Sequence, residues 1–407
     1  MSKAKTNYFP LLIAVAFAYF AFGAITNVAG AIVPKIKETY HVSGSASSFL
    51  ASVFFIAYGL TSVPFGILIK KFGTKFTLVA GSLITTIGVF MFASIPGYFA
   101  NMAAMFISGI GITAIQVAAN PLVKEISNPE KYSRNLTLFM VLFGVGSTVA
   151  PYIVTFIKSK GLEWNYAYWL FTILSIVMLI SLLLPKYPEE VHSVRDEGQS
   201  TNKESGFSYL LKDPLMIAYT FAIFLYVGVE VGVAYNIGLF LEDVHKISHL
   251  LGDKAEAAKN AAIGNYWFGL LLGRLIGSFV LDKIPTKKAI QIYITLAAVF
   301  LGFAVYSKNI NTALWAFPVV GFFISIMFPS IYGLAIDSFK KEYSSMVSGI
   351  LCSAIIGGAV IAPVITKVAE ITGSIKEPNW YCGMFVAFVC YIYIFTVGIW
   401  AKAKQKI

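Results

Sequence analysis

GILIKKFGTK (Gly66–Lys75) and SFVLDKIPTK (Ser278–Lys287) set a small residue, an apolar triplet, two polar positions and a closing Thr-Lys pair at the same offsets. Each stretch follows an apolar run long enough to cross a bilayer, which takes about 20 residues of helix. The echo extends further. Gly144, Gly146 and Ala150-Pro151 in one half are answered by Gly357-Gly358 and Ala362-Pro363 in the other. Glycines allow close helix approach and prolines allow kinks. A doubled set of such helices predicts two bundles that rock against each other about a central site.

Outward from these stretches, the chain resolves into twelve apolar runs: 10–33, 47–69, 76–95, 98–123, 136–157, 165–185, 214–240, 261–281, 288–307, 311–336, 345–366 and 379–401. Of the 407 residues, 57% are hydrophobic and 13% charged, about half the charge of a soluble domain. The deficit has a cause: a charged side chain at mid-bilayer costs about 2.5–3.5 kcal/mol. The predicted fold is an all-α membrane protein with twelve transmembrane helices in two six-helix pseudo-symmetric bundles, the major facilitator pattern. Residues 1–185 form the first bundle and 214–407 the second. The polar segment 186–213 reads as a cytoplasmic linker with a short interfacial helix near 207–211. The first run is too long for the core of a signal peptide and reads as a spanning helix.

The net charge of +11 is unevenly spread. Segments on the side of the termini carry roughly twice as many Lys and Arg as those on the other side, which places both termini in the cytoplasm. The excess therefore faces the inner leaflet and does not call for nucleic acid. Cys352, Cys382 and Cys390 sit in apolar runs without a CxxC pair or histidine neighbours, so they read as packing residues with no disulfide or metal role. There is no GxxxxGK[ST] for ATP and no HExxH or GxSxG. An enzyme and a bound cofactor are not expected.

Polar groups inside spans are costly and therefore the first functional candidates. Thr113, Gln116 and Asn120 fall at spacings of three and four in span 4, on one helical face, with Pro121 behind them. Span 7 carries Tyr226, Glu230, Tyr235 and Asn236. Glu230 is the carboxylate deepest in the membrane, and burial disfavours the charged form, which makes it the candidate proton-coupling group. Span 8 carries Asn265, Trp267 and Arg274; the arginine is read as a gate residue paired with Asp282 or Asp337. Thr26 and Asn27 lie in span 1, and Ser325, Ser330 and Tyr332 in span 10.

QVAANPLV (Gln116–Val123), LYVGVEVG (Leu225–Gly232), YWFGLLLGRLIGS (Tyr266–Ser278), SIMFPSIYGLAI (Ser325–Ile336) and SGILCSAIIGGAVIAP (Ser348–Pro363) resemble the fucose/glucose/galactose permeases, a branch of the major facilitator superfamily. The resemblance implies inward sugar transport by alternating access with proton symport, and a glucose/galactose type at Gln116, where the fucose type has Glu. Three departures stand out. Where the family has Asn-Asp late in span 1, this chain has Ala29-Gly30; where it has a Gln and an Asn early in span 5, this chain has Leu138 and Val141. The span 1 coupling carboxylate is thus absent and Glu230 remains.

The expectation is a proton-coupled (or other cation-coupled) importer of a small neutral solute, a sugar. Gln116, Asn120, Asn236, Asn265, Thr26 and Asn27 would bind it, Glu230 would couple the proton, and Arg274, Asp282 and Asp337 would gate. The alternatives are another cargo on the same fold (an organic acid, a vitamin or a siderophore) and an uncoupled facilitator. The expected setting is a plasma membrane, a bacterial inner membrane, occupied as a monomer.

Overall fold

The computed structural model describes residues 8–126, 132–188, 203–340 and 343–401, which contain helices and no strand. The twelve expected spans are Phe9–Asn27 continued by Ala29–Tyr40 (span 1), Gly44–Phe72 (2), Thr74–Ser94 (3), Tyr98–Ile126 (4), Tyr132–Ser159 (5), Tyr166–Leu183 (6), Pro214–His245 (7), Ala255–Lys283 (8), Thr286–Tyr306 (9), Ile310–Ile324 continued by Met327–Ser338 (10), Ser344–Ser353 continued by Gly357–Thr372 (11) and Trp380–Trp400 (12). Eleven of them are long and apolar enough to cross a membrane by length and hydropathy. Span 8 is the exception, because Asn265, Arg274 and four glycines lower its mean hydropathy.

Helix starts follow local chemistry. Pro214 opens span 7, and the Asp213 carboxylate accepts from the backbone N–H of Leu215 at 2.8 Å and Met216 at 3.2 Å. That satisfies donors the helix leaves orphaned and suits the positive end of its dipole. Ser43 and Asn379 cap spans 2 and 12 in the same way.

Three spans are broken, and not all where the sequence pattern pointed. Span 10 bends at Ser325-Ile326, because Pro329 has no N–H for the Ser325 carbonyl; Ser325 Oγ turns back to the Phe322 carbonyl at 2.7 Å. Span 11 passes through a 3₁₀ turn at Ala354–Ile356 just before Gly357-Gly358. Span 1 breaks at Val28. Span 5 instead runs unbroken through Pro151 and span 4 through Pro121, so these prolines do not divide their helices. The linker helix spans Lys203–Lys212, longer than the interfacial turn expected near 207–211.

Glycines let the spans approach to backbone contact. A Cβ at Gly81 would stand 2.8 Å from the Gly111 carbonyl, and one at Gly383 would stand 2.7 Å from the Ile365 carbonyl. The large exposed side chains, among them Ile173, Phe279, Phe385 and Ile392, point outward along the spans as lipid-facing surface.

Candidate functional site

Spans 5 and 8 run antiparallel across the join between the first six spans and the last six. The Glu256 carboxylate takes both Lys158 and Lys35, the latter at 3.0 Å. One turn on, Asn260 Nδ2 donates to Thr155 Oγ1 at 2.8 Å. Then Tyr152 donates to Asn265 Oδ1 at 2.9 Å, and finally Leu271 packs where a Cβ on Gly144 would stand, 2.7 Å away. Spans 2 and 11 form a second seam. Ser45 gives its backbone N–H and its hydroxyl to the two Glu370 oxygens, at 3.0 and 2.8 Å. Ser48 meets Thr366 at 3.1 Å, Phe55 packs on Gly358 and Ile356 on Gly59.

Both seams keep one register: each turn forward on one helix is a turn back on the other. Both begin at the end of the molecule opposite the termini. Beyond Gly144–Leu271 and Gly59–Ile356 the contacts change. A Cβ at Gly66, Gly333 or Gly349, on the terminal side of spans 2, 10 and 11, would meet nothing within 4 Å. Among the described residues the join is therefore closed at one end and open at the other, with the apex of the open space near Gly144, Leu271 and Ile356.

Glu230 and Arg274 sit beside that apex. Arg274 Nη2 lies 3.0 Å from Glu230 Oε1, and their side chains are 20% and 10% exposed. Tyr266 donates to the Glu230 carbonyl at 2.9 Å and so ties spans 7 and 8 together at this level. Tyr226, one turn before Glu230, packs its ring 6.4 Å from that of Phe328, which stacks on Tyr332. The pairing of Arg274 corrects the expectation from sequence: its carboxylate is Glu230, not Asp337, which is exposed. The Asp282 side chain lies outside the described residues. The reason is burial. A guanidinium at this depth needs a countercharge within the bilayer, and Glu230 supplies it from the neighbouring span.

The other candidates separate into three groups. Gln116 and Thr26 each hold a buried side-chain oxygen without a hydrogen-bond partner among the described residues, as does the indole N–H of Trp267. Asn27 and Asn236 are committed to packing. Asn27 Nδ2 donates to Ser147 Oγ at 2.9 Å and to the Gly23 carbonyl at 3.2 Å. Asn236 donates to the Gly232 and Ala362 carbonyls at 2.9 and 3.0 Å, and accepts from Ser48 at 3.2 Å and Thr366 at 2.6 Å. It is a fully bonded knot in the second seam. Asn265 accepts from Tyr152 across the first seam and is otherwise exposed, on the stripe that carries Phe268, Ile276 and Phe279. The Asn120 side chain lies outside the described residues.

The seam residues Ser45, Lys35, Lys158, Glu256 and Glu370 were not singled out in the sequence. They sit at helix ends, where charge is cheap and usually means a loop. The available signal was sparse acid: Glu256 and Glu370 stand among lysines on segments assigned to the same side of the membrane. The departures at Ala29-Gly30 have a packing reason. A Cβ at Gly30 would lie 3.2 Å from the Ala234 carbonyl and 3.3 Å from Ile263, so span 1 crosses span 7 where a larger residue would not fit as it stands. Val141 is half-buried, and the Leu138 side chain lies outside the described residues.

The comparisons with known proteins agree on the fold. The chain is 28% identical over 411 residues to a glucose/galactose transporter of Brucella abortus, covering 98% of this chain and 95% of that one. It is 23% identical over 422 residues to the L-fucose-proton symporter of Escherichia coli, covering 95% and 91%. Among solved structures, the nucleoside transporter NupG superposes with a TM-score of 0.76 at 16% identity, covering 96% of this chain and 98% of that one. The E. coli fucose:proton symporter FucP in its outward conformation superposes with 0.67 at 17%, covering 97% and 99%. The profile of the Major Facilitator Superfamily matches residues 15–363. With twelve helices, a join of paired seams and a profile spanning most of its length, the chain is a multi-pass membrane transporter, not an enzyme, and belongs to the Major Facilitator Superfamily.

Proposed function

We propose that this transporter imports a small neutral hydroxylated solute, a sugar, by alternating access coupled to protons. The observation that carries the reading is the Glu230–Arg274 pair at the apex of a space sealed on one side and open on the other. The names of the Brucella abortus and Escherichia coli relatives support the sugar and the proton. The moving bodies are residues 1–185 and 214–407, joined by the linker 186–213. The open end carries the termini and the lysine-rich segments, so the positive-inside rule supports cytoplasmic termini in a bacterial inner membrane and an inward-open state. The protein works as a monomer, with Gln116, Thr26 and Asn120 on the first-half side of the site.

A buried carboxylate can be neutralised by a proton or by a cation, and Glu230 has Arg274 beside it for one and the open space for the other. In Glu230→Gln, proteoliposomes should exchange substrate at equilibrium yet no longer concentrate it under an inward proton gradient. Concentration by that variant would remove Glu230 from the coupling role. A second reading, an uncoupled facilitator, is favoured by one observation: Arg274 already neutralises Glu230 without a proton. Accumulation in the wild-type protein that vanishes with an ionophore rules that reading out.

A further inference from the structure

We infer that the Glu230–Arg274 pair is a charge filter: together the two residues select a neutral polyol, and Glu230 is what keeps anionic sugars out. The inference rests on the sugar reading above and adds the class of sugar admitted.

Four observations lead there. Glu230 and Arg274 are the charged residues that fall in the middle of the spans; the other Lys, Arg, Asp and Glu lie toward span ends or in connections. Arg274 is one turn beyond Leu271, the last rung of the first seam, on the same face of span 8, so it stands where the two halves part. Carrying the seam's register one turn further sets the apolar Val141 across from it, and late in span 1 Ala29-Gly30 is packed against span 7. Among the described residues the first half therefore shows no charge at these positions; a polar atom it leaves without a partner is the buried amide oxygen of Gln116. Finally, Arg274 meets Glu230 through Nη2 at 3.0 Å, with the Tyr226 hydroxyl beside both. A guanidinium has five N–H donors and a carboxylate about four lone-pair sites, so these contacts leave donors and lone pairs on both for a ligand.

The consequence is a site with zero net charge, strong donors on one side and a strong acceptor on the other. A vicinal diol can accept from Arg274 and donate to Glu230 at once. A sugar carboxylate drawn to Arg274 meets the Glu230 charge, and like-charge juxtaposition is what rejects wrong ligands most sharply. Removing the Glu230 charge leaves an unpaired guanidinium, which is a carboxylate receptor.

The test is equilibrium counterflow in proteoliposomes, which needs no proton gradient. Labelled D-glucose, D-galactose and L-fucose are the probes, with D-glucuronate and D-galacturonate as competitors of the same ring shape. The wild-type protein should exchange at least one hexose and be inhibited by the uronates about tenfold or more weakly than by the unlabelled hexose. Glu230→Gln should reverse that order. The double variant Glu230→Gln/Arg274→Gln, which buries no charge and so keeps the test open should the single variant misfold, should bring the ratio close to one. An unchanged ratio in either variant overturns the filter, as do uronates that match hexoses on the wild-type protein. Failure of the wild-type protein to exchange or bind any hexose would instead sink the sugar reading, and this inference with it.

Discussion

The closed end and the open end of this transporter are built from the same four helices but from different residues. Toward the closed end, spans 2, 5, 8 and 11, joined by Asn236 of span 7 and Lys35 of span 1, meet through polar rungs: Ser45 on Glu370, Ser48 on Thr366 and Asn236, Thr155 on Asn260, and two lysines on Glu256. Toward the open end, the register of spans 2 and 11 sets Val63 across from Cys352 and Gly66 across from Gly349, small and apolar residues, and that of spans 5 and 8 sets Val141 across from Arg274. The difference teaches how one seam can both hold and release. Polar rungs are directional and can be exchanged for water when the halves part, at a net cost of about 0.5–1.5 kcal/mol each. Small apolar rungs let helices approach closely without leaving an unpaired polar group when they separate.

The sharpest way to break the comparison is to lock the open end shut. A Val63→Cys variant would face the native Cys352 if the register holds when that end closes, within the 4.4–6.8 Å between Cα atoms that a disulfide needs. Oxidation during turnover should arrest exchange completely, and a reductant should restore it. A variant that turns over normally and never crosslinks would mean the seam shifts register as it closes.

Next in size is a contrast within span 11. A Cβ at Gly357 would run into the Phe224 carbonyl, whereas one at Gly349 meets nothing. Gly357→Ala should cost about 1–3 kcal/mol of stability. Gly349→Ala should change it by less than about 1 kcal/mol, toward greater stability. Thermal unfolding of the purified variants reads both. Equal losses would contradict the open end.

Asn236→Ala strips four hydrogen bonds from a residue with no exposed surface, at a cost of about 1–3 kcal/mol for the partners left unpaired. Its effect should fall on the closed end, raising the reactivity of a cysteine placed at Ser48 toward an impermeant thiol reagent. Hexose affinity measured on the open side should stay within about twofold. A large loss of affinity with no gain in reactivity would return Asn236 to the binding site.

The smallest expected effect is at Glu256. Its two lysine partners differ in exposure, 15% for Lys35 and 55% for Lys158, so solvent screens much of the interaction and about 1 kcal/mol is at stake. Glu256→Gln should raise the same Ser48-site reactivity by about fivefold at low salt and by less at high salt. Salt-independent reactivity would show that the charges at this rung do not hold the end closed.

Much of the fold was legible because the bilayer imposes a simple rule. Lipid tolerates few charges and no unpaired backbone, so twelve apolar runs had to be helices. The paired motifs after spans 2 and 8 made the two-half arrangement readable as well. Glu230 stood out for the same reason, as a charge where charge is expensive. Arg274 stood out too, but not the pairing, because Arg274 lies 44 positions along the chain on another helix, and Asp282 was the nearer carboxylate in sequence. Asn236 and Asn265 show the opposite failure. An amide inside a span is equally costly whether it binds a ligand, knots buried helices or bridges them at an exposed rung, and periodicity alone does not separate those fates.

The sequence by itself determined the solvent, the number and order of the spans, the uneven split of Lys and Arg between the two sides, and the scarcity of charge inside. Each follows from transfer free energies, which are properties of single residues and short runs. Only the tertiary structure decided which end is shut, that Glu230 and Arg274 neutralise each other, and that a register shared by two seams carries the join. Those depend on which helices touch and at what height, and contact between residues distant in the chain is set by packing that no local run encodes.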